Sequence, residues 1–437
     1  MHYPNQQRKT LHIIGDGAAS VTFYLEMIRL YKHTDLVMDI VWHTSDPETP
    51  LPSLGVAYGA TADQLHFLNS EVHSMSIPGY MSFVEWVTTH RNEILDQYSP
   101  FITEEELEPE SVCSAFLPRR VYREYLQHLL DITPLPMLWN RRLTNRPFDP
   151  QITCSGPRAT DQNVAYVWCV GAKPKILHDT HCEVSQPWTH SWQDTKDRQN
   201  ILIYGSGLTA IDAAISAFWA APADRKPKIT LASRSGRLPL PYAPSEDPDQ
   251  SLLSRVQQYR SVRELIRIAR EVNASGHWNT FMKAMRPYWT QVWGSFNEQE
   301  QRRAMRVMPF FDIHRHKIVP PIQRAMDVMG SNLEVRKLED VNPESYDLRV
   351  NATGIDFNPN RNPTLRQASI SLQIDMDHGP WGFTDATTRC RIGPNSWCIG
   401  AYMKQTLGEA TAMPEIKLMS HIVSDSVFQH FTRSSTK

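Results

Sequence analysis

A strand, glycine turn, helix, strand pattern occurs twice in this chain, and it constrains the fold more than any other feature. The first copy runs from Leu11-His12-Ile13-Ile14 into Gly15-Asp16-Gly17-Ala18-Ala19-Ser20. A helical pattern through Val21, Leu25, Ile28 and Leu30 follows, then an apolar run from Leu36 to His43. The second copy opens on Asn200-Ile201-Leu202-Ile203-Tyr204 and turns at Gly205-Ser206-Gly207-Leu208-Thr209-Ala210. It continues through Ile211, Ala214, Ile215 and Phe218 to a strand at Lys228 to Ala232. Each copy reads as one βαβ unit.

A single G-x-G-x-x-G turn is weak evidence, because glycines also serve plain tight turns. The dinucleotide reading makes three demands. The first glycine forms the turn, the second lets backbone approach a pyrophosphate, and the third position must be small so that helix packs on strand. The helix N-terminus then offers free N–H groups and the positive end of its dipole to the phosphates. The third position is Ser20 in one copy and Ala210 in the other, both small. Two copies in the same context predict two nucleotide sites, one at Gly15, Gly17 and Ser20 and one at Gly205, Gly207 and Ala210. The fold class expected is α/β, with two Rossmann-like dinucleotide-binding domains.

The end of the second strand of such a unit normally carries an acid for the adenosine ribose. In the first copy that place falls on His43, with Thr44 and Ser45 beside it. An imidazole can bond a ribose hydroxyl, but it departs from the pattern. In the second copy the same place reads Ser233-Arg234-Ser235-Gly236-Arg237. With no acid and an arginine at hand, Ser233 and Arg234 favour the 2′-phosphate of NADPH over the bare hydroxyl of NADH. The competing reading makes Arg234 and Arg237 solvated loop charges.

At 437 residues the chain is too long for one ordinary core, so two domains, or one split by an insertion, are expected. A strand from Val164 to Val170 ends at Gly171, and a polar stretch from Gln186 to Gln199 precedes the second unit. From about Ser251 to Met329 the pattern is helical, with capping boxes at Ser261 to Glu264 and Asn297 to Glu300. The last block, from about Tyr346, carries Leu348-Arg349-Val350-Asn351-Ala352 and Trp397-Cys398-Ile399-Gly400, and ends in a helix from Met413 to about Val427. Asn351-Ala352-Thr353-Gly354 ends a strand, and such an end is often just a strand terminus; paired with an earlier glycine-rich βαβ unit, it is of the kind that passes close to a bound flavin nucleotide.

A formal net charge of −2 leaves no electrostatic footprint for nucleic acid or an anionic membrane. Cys113, Cys154, Cys169, Cys182, Cys390 and Cys398 are scattered, which predicts buried thiols in a reducing compartment rather than a disulfide framework. The polar start lacks a secretory signal, and no apolar run approaches the roughly 20 residues of a membrane span. Cytoplasmic residence is the expectation. No metal is expected: His314 and His316 do not converge at i,i+2 spacing, and His178, His181 and Cys182 have no answering cluster. Met305 and Met308 with Phe310 and Phe311 read as core, and Ser206 as a turn residue rather than a nucleophile.

Further fragments lie in order along the chain: Leu54-Gly55-Val56-Ala57-Tyr58-Gly59, His66-Phe67-Leu68-Asn69, Met75-Ser76, and Phe116-Leu117-Pro118-Arg119-Arg120-Val121-Tyr122. After the second glycine turn come Ser233 to Pro241, Phe311-Asp312-Ile313-His314-Arg315-His316, and Glu409-Ala410-Thr411-Ala412-Met413-Pro414-Glu415-Ile416. With the two glycine turns, the chain resembles, nearly end to end, the FAD/NAD(P)-binding proteins related to FAD-dependent urate hydroxylases and aspartate N-monooxygenases of natural-product pathways. The resemblance implies a discontinuous FAD domain, 1–195 and 346–437, with an NAD(P)H domain and helical segment, 196–345, inserted. It implies FAD and NADPH as cofactors. It places Gly55 to Gly59, Asn69, Met75 and Ser76 around the flavin, and the segment of Thr411 beside its ring or pyrophosphate.

The activity implied is that of a flavoprotein monooxygenase, which passes one oxygen atom of dioxygen to a small molecule. The absence of a C-x-x-C pair disfavours a disulfide-reductase outlet for the electrons. Such chemistry needs no particular acid–base side chain, and none is assigned. His66 falls near the flavin by resemblance, with a core or ribose-contacting role as its competitor. Two other readings stay open: a flavin reductase or dehydrogenase without oxygen transfer, and a non-catalytic dinucleotide-binding partner protein, to which His43 and Ser20 lend weight.

Overall fold

The computed structural model describes residues 8–44, 54–59, 65–99, 101–144, 161–177, 181–242, 249–258, 261–274, 278–315, 317–385 and 389–432. Side chains at 273–274, 278–279 and 309–315 are not among those described. Ser45, Cys154, His178 and His316, with the side chains of Phe310, Phe311 and His314, lie outside the described set.

In chain order the elements that position the sites are β1 (Lys9–Ile14), α1 (Ala18–Tyr31), β2 (Met38–His43), α2 (Arg119–Ile132), β3 (Trp139–Thr144) and β4 (Val164–Trp168). Then come β5 (Asn200–Tyr204), α3 (Leu208–Ala220), β6 (Lys228–Ser233), α4 (Val262–Ala274), α5 (Glu298–Arg315), β7 (Leu333–Lys337) and β8 (Leu348–Asn351). The chain closes with β9 (Arg391–Gly393), β10 (Ser396–Cys398) and α6 (Met413–Thr432). It divides into two compact units. One holds Met1–Lys173, Ile355–Thr406 and Ala410–Lys437; the other holds Pro174–Gly354 and Leu407–Glu409.

The first unit is built on a six-stranded sheet in the order β9-β10-β4-β1-β2-β3. The strands from β10 to β3 run parallel, and β9 alone is antiparallel. All of β4 is buried, which is why Val164-Ala165-Tyr166-Val167-Trp168 shows no polar alternation. Helices α1 and α6 pack closely: Tyr31 stacks on Phe428 at 4.0 Å between ring centroids, and its hydroxyl donates to Asp425 at 2.5 Å. Between the same helices His421 Nδ1 lies 2.8 Å from the Glu26 carboxylate, which also takes two bonds from Arg29.

The second unit is built on a four-stranded parallel sheet, β7-β6-β5-β8. The strand Leu348–Asn351, grouped by the sequence pattern with the last block, hydrogen-bonds to β5 and so belongs to this sheet. The helices from Gln250 to Met329 lie where the periodicity predicts them. In both sheets the glycine-turn strand lies between the strand that follows it in its βαβ unit and a strand from later in the chain. That is the order 3-2-1-4, whose switch point is the usual place for a nucleotide.

Candidate functional site

The two glycines of each turn face different constraints. Gly15 has φ +110, and a Cβ there would sit 2.4 Å from the carbonyl oxygen of Cys169, just past β4. Gly205 has φ +124, and its Cβ would sit 2.5 Å from the carbonyl oxygen of Ala352, just past β8. These first glycines hold the turn against the neighbouring strand and exclude any side chain. Gly17 and Gly207 have ordinary extended dihedrals as the N-caps of α1 and α3. A Cβ at Gly207 would meet nothing within 4 Å, and at Gly17 only the Cα of Gly55 at 4.0 Å. Packing within the fold therefore does not require glycine at either position.

Neither α1 nor α3 has a side-chain cap. The first-turn N–H groups of two helices, 14 and 13 residues long, thus point out at the edge where their sheets end. The third positions pack as expected. Ser20 is fully buried, with its hydroxyl donating to the Gly17 carbonyl at 2.7 Å, and Ala210 is fully buried too. These are cradles that a Cβ would fill, and they fit a pyrophosphate.

Around the first cradle, Leu54 donates its N–H to the Asp16 carbonyl at 2.8 Å, and Gly55 lies directly over Gly17. Gly55 has φ +68, and a Cβ on it would sit 3.0 Å from the Gly17 Cα. Leu54 and Gly55 therefore close on the cradle. His43 stands at the C-terminal end of β2, as expected, but its Nε2 lies 3.0 Å from His12 Nδ1 and its Nδ1 is buried. His12 is stacked between His43 and Tyr166, with ring centroids at 5.3 and 4.9 Å. Burial first, then His43 and Arg142, push the His12 imidazole down to about 3. The His43 ring thus belongs to a buried layer on the sheet face, a contact no local sequence signal foretold.

The remaining first-unit candidates separate. Met75 is buried, and its carbonyl accepts from the Tyr122 hydroxyl at 3.0 Å, so its side chain is core. The Ser76 hydroxyl accepts from Phe83 N at 2.9 Å, at the start of a helix whose N-cap is Ser82, while its carbonyl accepts from Lys417 at 3.0 Å. Asn69 is exposed, His66 is buried with its carbonyl accepting from Arg119 N, and Thr411 is exposed just before α6.

At the second cradle the loop after β6 is tied into a cup. The Ser206 hydroxyl donates to the Arg237 carbonyl at 2.7 Å and lies 2.8 Å from the Ser233 hydroxyl. Ser233 Oγ accepts from Gly236 N at 3.1 Å, and Ser235 Oγ from Arg237 N at 3.3 Å. Arg234 and Arg237 are exposed on this cup. Thr353 folds back onto the Asn351 side chain, and Gly354 has φ +103 with open space beside it. Ser233 and Arg234 are legible in the sequence, but the role of Ser206 is not, because its partners lie 27 and 31 residues away.

The buried thiols of Cys169, Cys390 and Cys398 are pushed up by burial, which disfavours the thiolate. Cys113, Cys169, Cys182, Cys390 and Cys398 are free, but Cys113 is exposed and Cys182 half-buried, so the expectation of buried thiols holds for only three of these five. No helix among the described residues is long and apolar enough to cross a membrane.

Residues 12–133, from β1 through α2, match the FAD-NAD(P)-binding family model. No curated protein sequence matches the chain. Its fold is similar to that of ornithine hydroxylase from Pseudomonas aeruginosa, at 13% identity and a TM-score of 0.55, over 98% of this chain and 100% of that one. The FAD-bound cadaverine monooxygenase of desferrioxamine biosynthesis from Erwinia amylovora is similar at 14% identity and a TM-score of 0.53. That match spans 98% of this chain and 95% of the other.

Proposed function

We propose that this chain is an FAD-dependent, NADPH-using monooxygenase acting on a small molecule, with dioxygen as co-substrate. The observation that carries the reading is the pair of uncapped glycine-started helices, each at the switch point of its own parallel sheet. Two such cradles in one chain support a hydride passing from one dinucleotide to another. The family match over residues 12–133 supports FAD at the first cradle, and the Ser233–Arg237 cup supports NADPH at the second.

In this reading the FAD domain is discontinuous. Gly15 shapes its turn, the α1 N–H groups and Gly17 take the pyrophosphate, Ser20 packs the helix, and Gly55 closes over the phosphates. His43 stands at the ribose end, with Asn69, Ser76 and Thr411 on the flavin side. Gly205, Gly207, Ala210, Ser233 and Arg234 hold NADPH, and Thr353 and Gly354, first expected near the flavin, follow a strand paired with β5. When bound, FAD supplies the redox chemistry and the reaction with dioxygen. The fold shared with an ornithine hydroxylase and a cadaverine monooxygenase supports a small amine as the acceptor of oxygen. The five cysteines among the described residues are free, which suits a reducing, cytoplasmic setting.

The test is direct. The purified chain should be yellow, should be reduced faster by NADPH than by NADH, and should place label from labelled dioxygen into a product from a panel of amines and amino acids. Reoxidation to hydrogen peroxide alone with every compound would instead make it a reductase or oxidase. A colourless chain that FAD does not reconstitute would overturn the reading.

A further inference from the structure

We propose that Lys337, at the end of β7, is a specificity-determining residue for the 2′-phosphate of NADPH. This rests on the reading of the second cradle as the NADPH site. The strand β7 runs parallel to β6, and its register sets Lys337 directly opposite Ser233. The two residues therefore end neighbouring strands at the sheet edge where the nucleotide lies, about 4.8 Å apart across the ladder.

The cup and the lysine are physically joined. Gly236 has φ +59, and a Cβ there would lie 2.9 Å from the Lys337 Cγ and 3.1 Å from its backbone nitrogen. The lysine stem thus runs beside the Ser233–Arg237 loop. That loop is held by the Ser206, Ser233 and Ser235 hydroxyls, so its shape does not wait for a ligand.

The neighbouring cations differ. Arg336 points to the opposite face of the strand, as alternation requires, and its guanidinium donates to Glu334 at 2.9 Å. Glu334 is itself engaged by the Thr230 hydroxyl at 2.7 Å. The Lys337 ammonium is 3.2 Å from Glu339, and both side chains are more than half exposed. An exposed pair of this kind binds weakly, and an incoming phosphate dianion competes for the ammonium. Arg234, Arg237 and Lys337 then surround the cup from two strands, and Lys337 supplies the charge from the far one.

The experiment is calorimetric titration of the purified full-length chain with 2′,5′-ADP and with 5′-AMP, which differ by the 2′-phosphate. Lys337→Met should weaken 2′,5′-ADP about fivefold to tenfold, leave 5′-AMP unchanged, and be largely rescued by Lys337→Arg. Wild-type affinity for 2′,5′-ADP in Lys337→Met would overturn the proposal while leaving the NADPH reading intact. Equal weakening of both probes would make Lys337 a structural residue and also overturn it. A wild-type chain that binds the two probes equally would remove the NADPH reading itself, and this inference with it.

Discussion

His12 and His43 bring two imidazoles together inside a sheet, and the acid sensitivity of the first unit follows from them. His12 is neutral in the folded chain down to about 3, chiefly because it is buried. In the unfolded chain an imidazole takes its proton near 6.5. Between those values the unfolded state binds more protons, so stability rises with pH and falls as the medium is acidified. The slope from this one group is about 1.4 kcal/mol per pH unit within the window. His12→Phe keeps a ring against Tyr166 but removes the titration. Denaturant midpoints at pH 7 and pH 4.5 should therefore differ less in that variant than in the wild type. An unchanged difference would place the acid sensitivity elsewhere. Nothing in the run Leu11 to Ile14 announces this pair, since it forms only when β2 aligns beside β1.

At the scale of elements, the glycine turns and their flanking strands were legible because their determinants are local. Gly15 and Gly205 need positive φ, and Ser20 and Ala210 need to be small, whatever surrounds them. Helix α2 and strand β3 were not legible in this way, and neither was the placement of β8, because sheet membership is decided by distant chain. Capping shows the same limit. Asn297 caps α5 as its sequence predicts, accepting from Glu300 N at 2.9 Å. The return arm of the box is missing, however. The Glu300 carboxylate accepts instead from Val262 N, at the start of α4, at 2.8 Å, and pairs with Arg303. The Val262 N–H heads the causes that hold the Glu300 carboxyl below the usual range. One side chain thus joins the starts of two helices. Glu300→Ala should destabilise the helical segment by about 1 kcal/mol, and Glu300→Gln should recover part of that. Thermal unfolding of the two variants checks this; a Glu300→Ala variant as stable as the wild type would show that the shared cap contributes nothing.

For the whole molecule, the design is one cradle per unit, and the two should be separable by substitution. Gly207 has an extended backbone, and a Cβ on it meets nothing within 4 Å. Gly207→Val therefore leaves the second sheet and α3 intact while filling the space that a pyrophosphate needs. Gly17→Val does the same at α1, with only the Gly55 Cα nearby at 4.0 Å. If the cradles act independently, Gly17→Val should purify folded but colourless. Gly207→Val should purify yellow, be reduced normally by dithionite, and be reduced by NADPH at least tenfold more slowly, the loss expected from about 1.4 kcal/mol or more of binding. Gly205→Ala is a different experiment, because positive φ and a 2.5 Å approach to Ala352 make it a folding defect. Its loss of NADPH turnover would come with a lowered melting temperature, whereas that of Gly207→Val would not. A Gly207→Val variant that keeps full NADPH-driven reduction would move the nicotinamide nucleotide away from the second cradle. A Gly17→Val variant that stays yellow would do the same for FAD and the first.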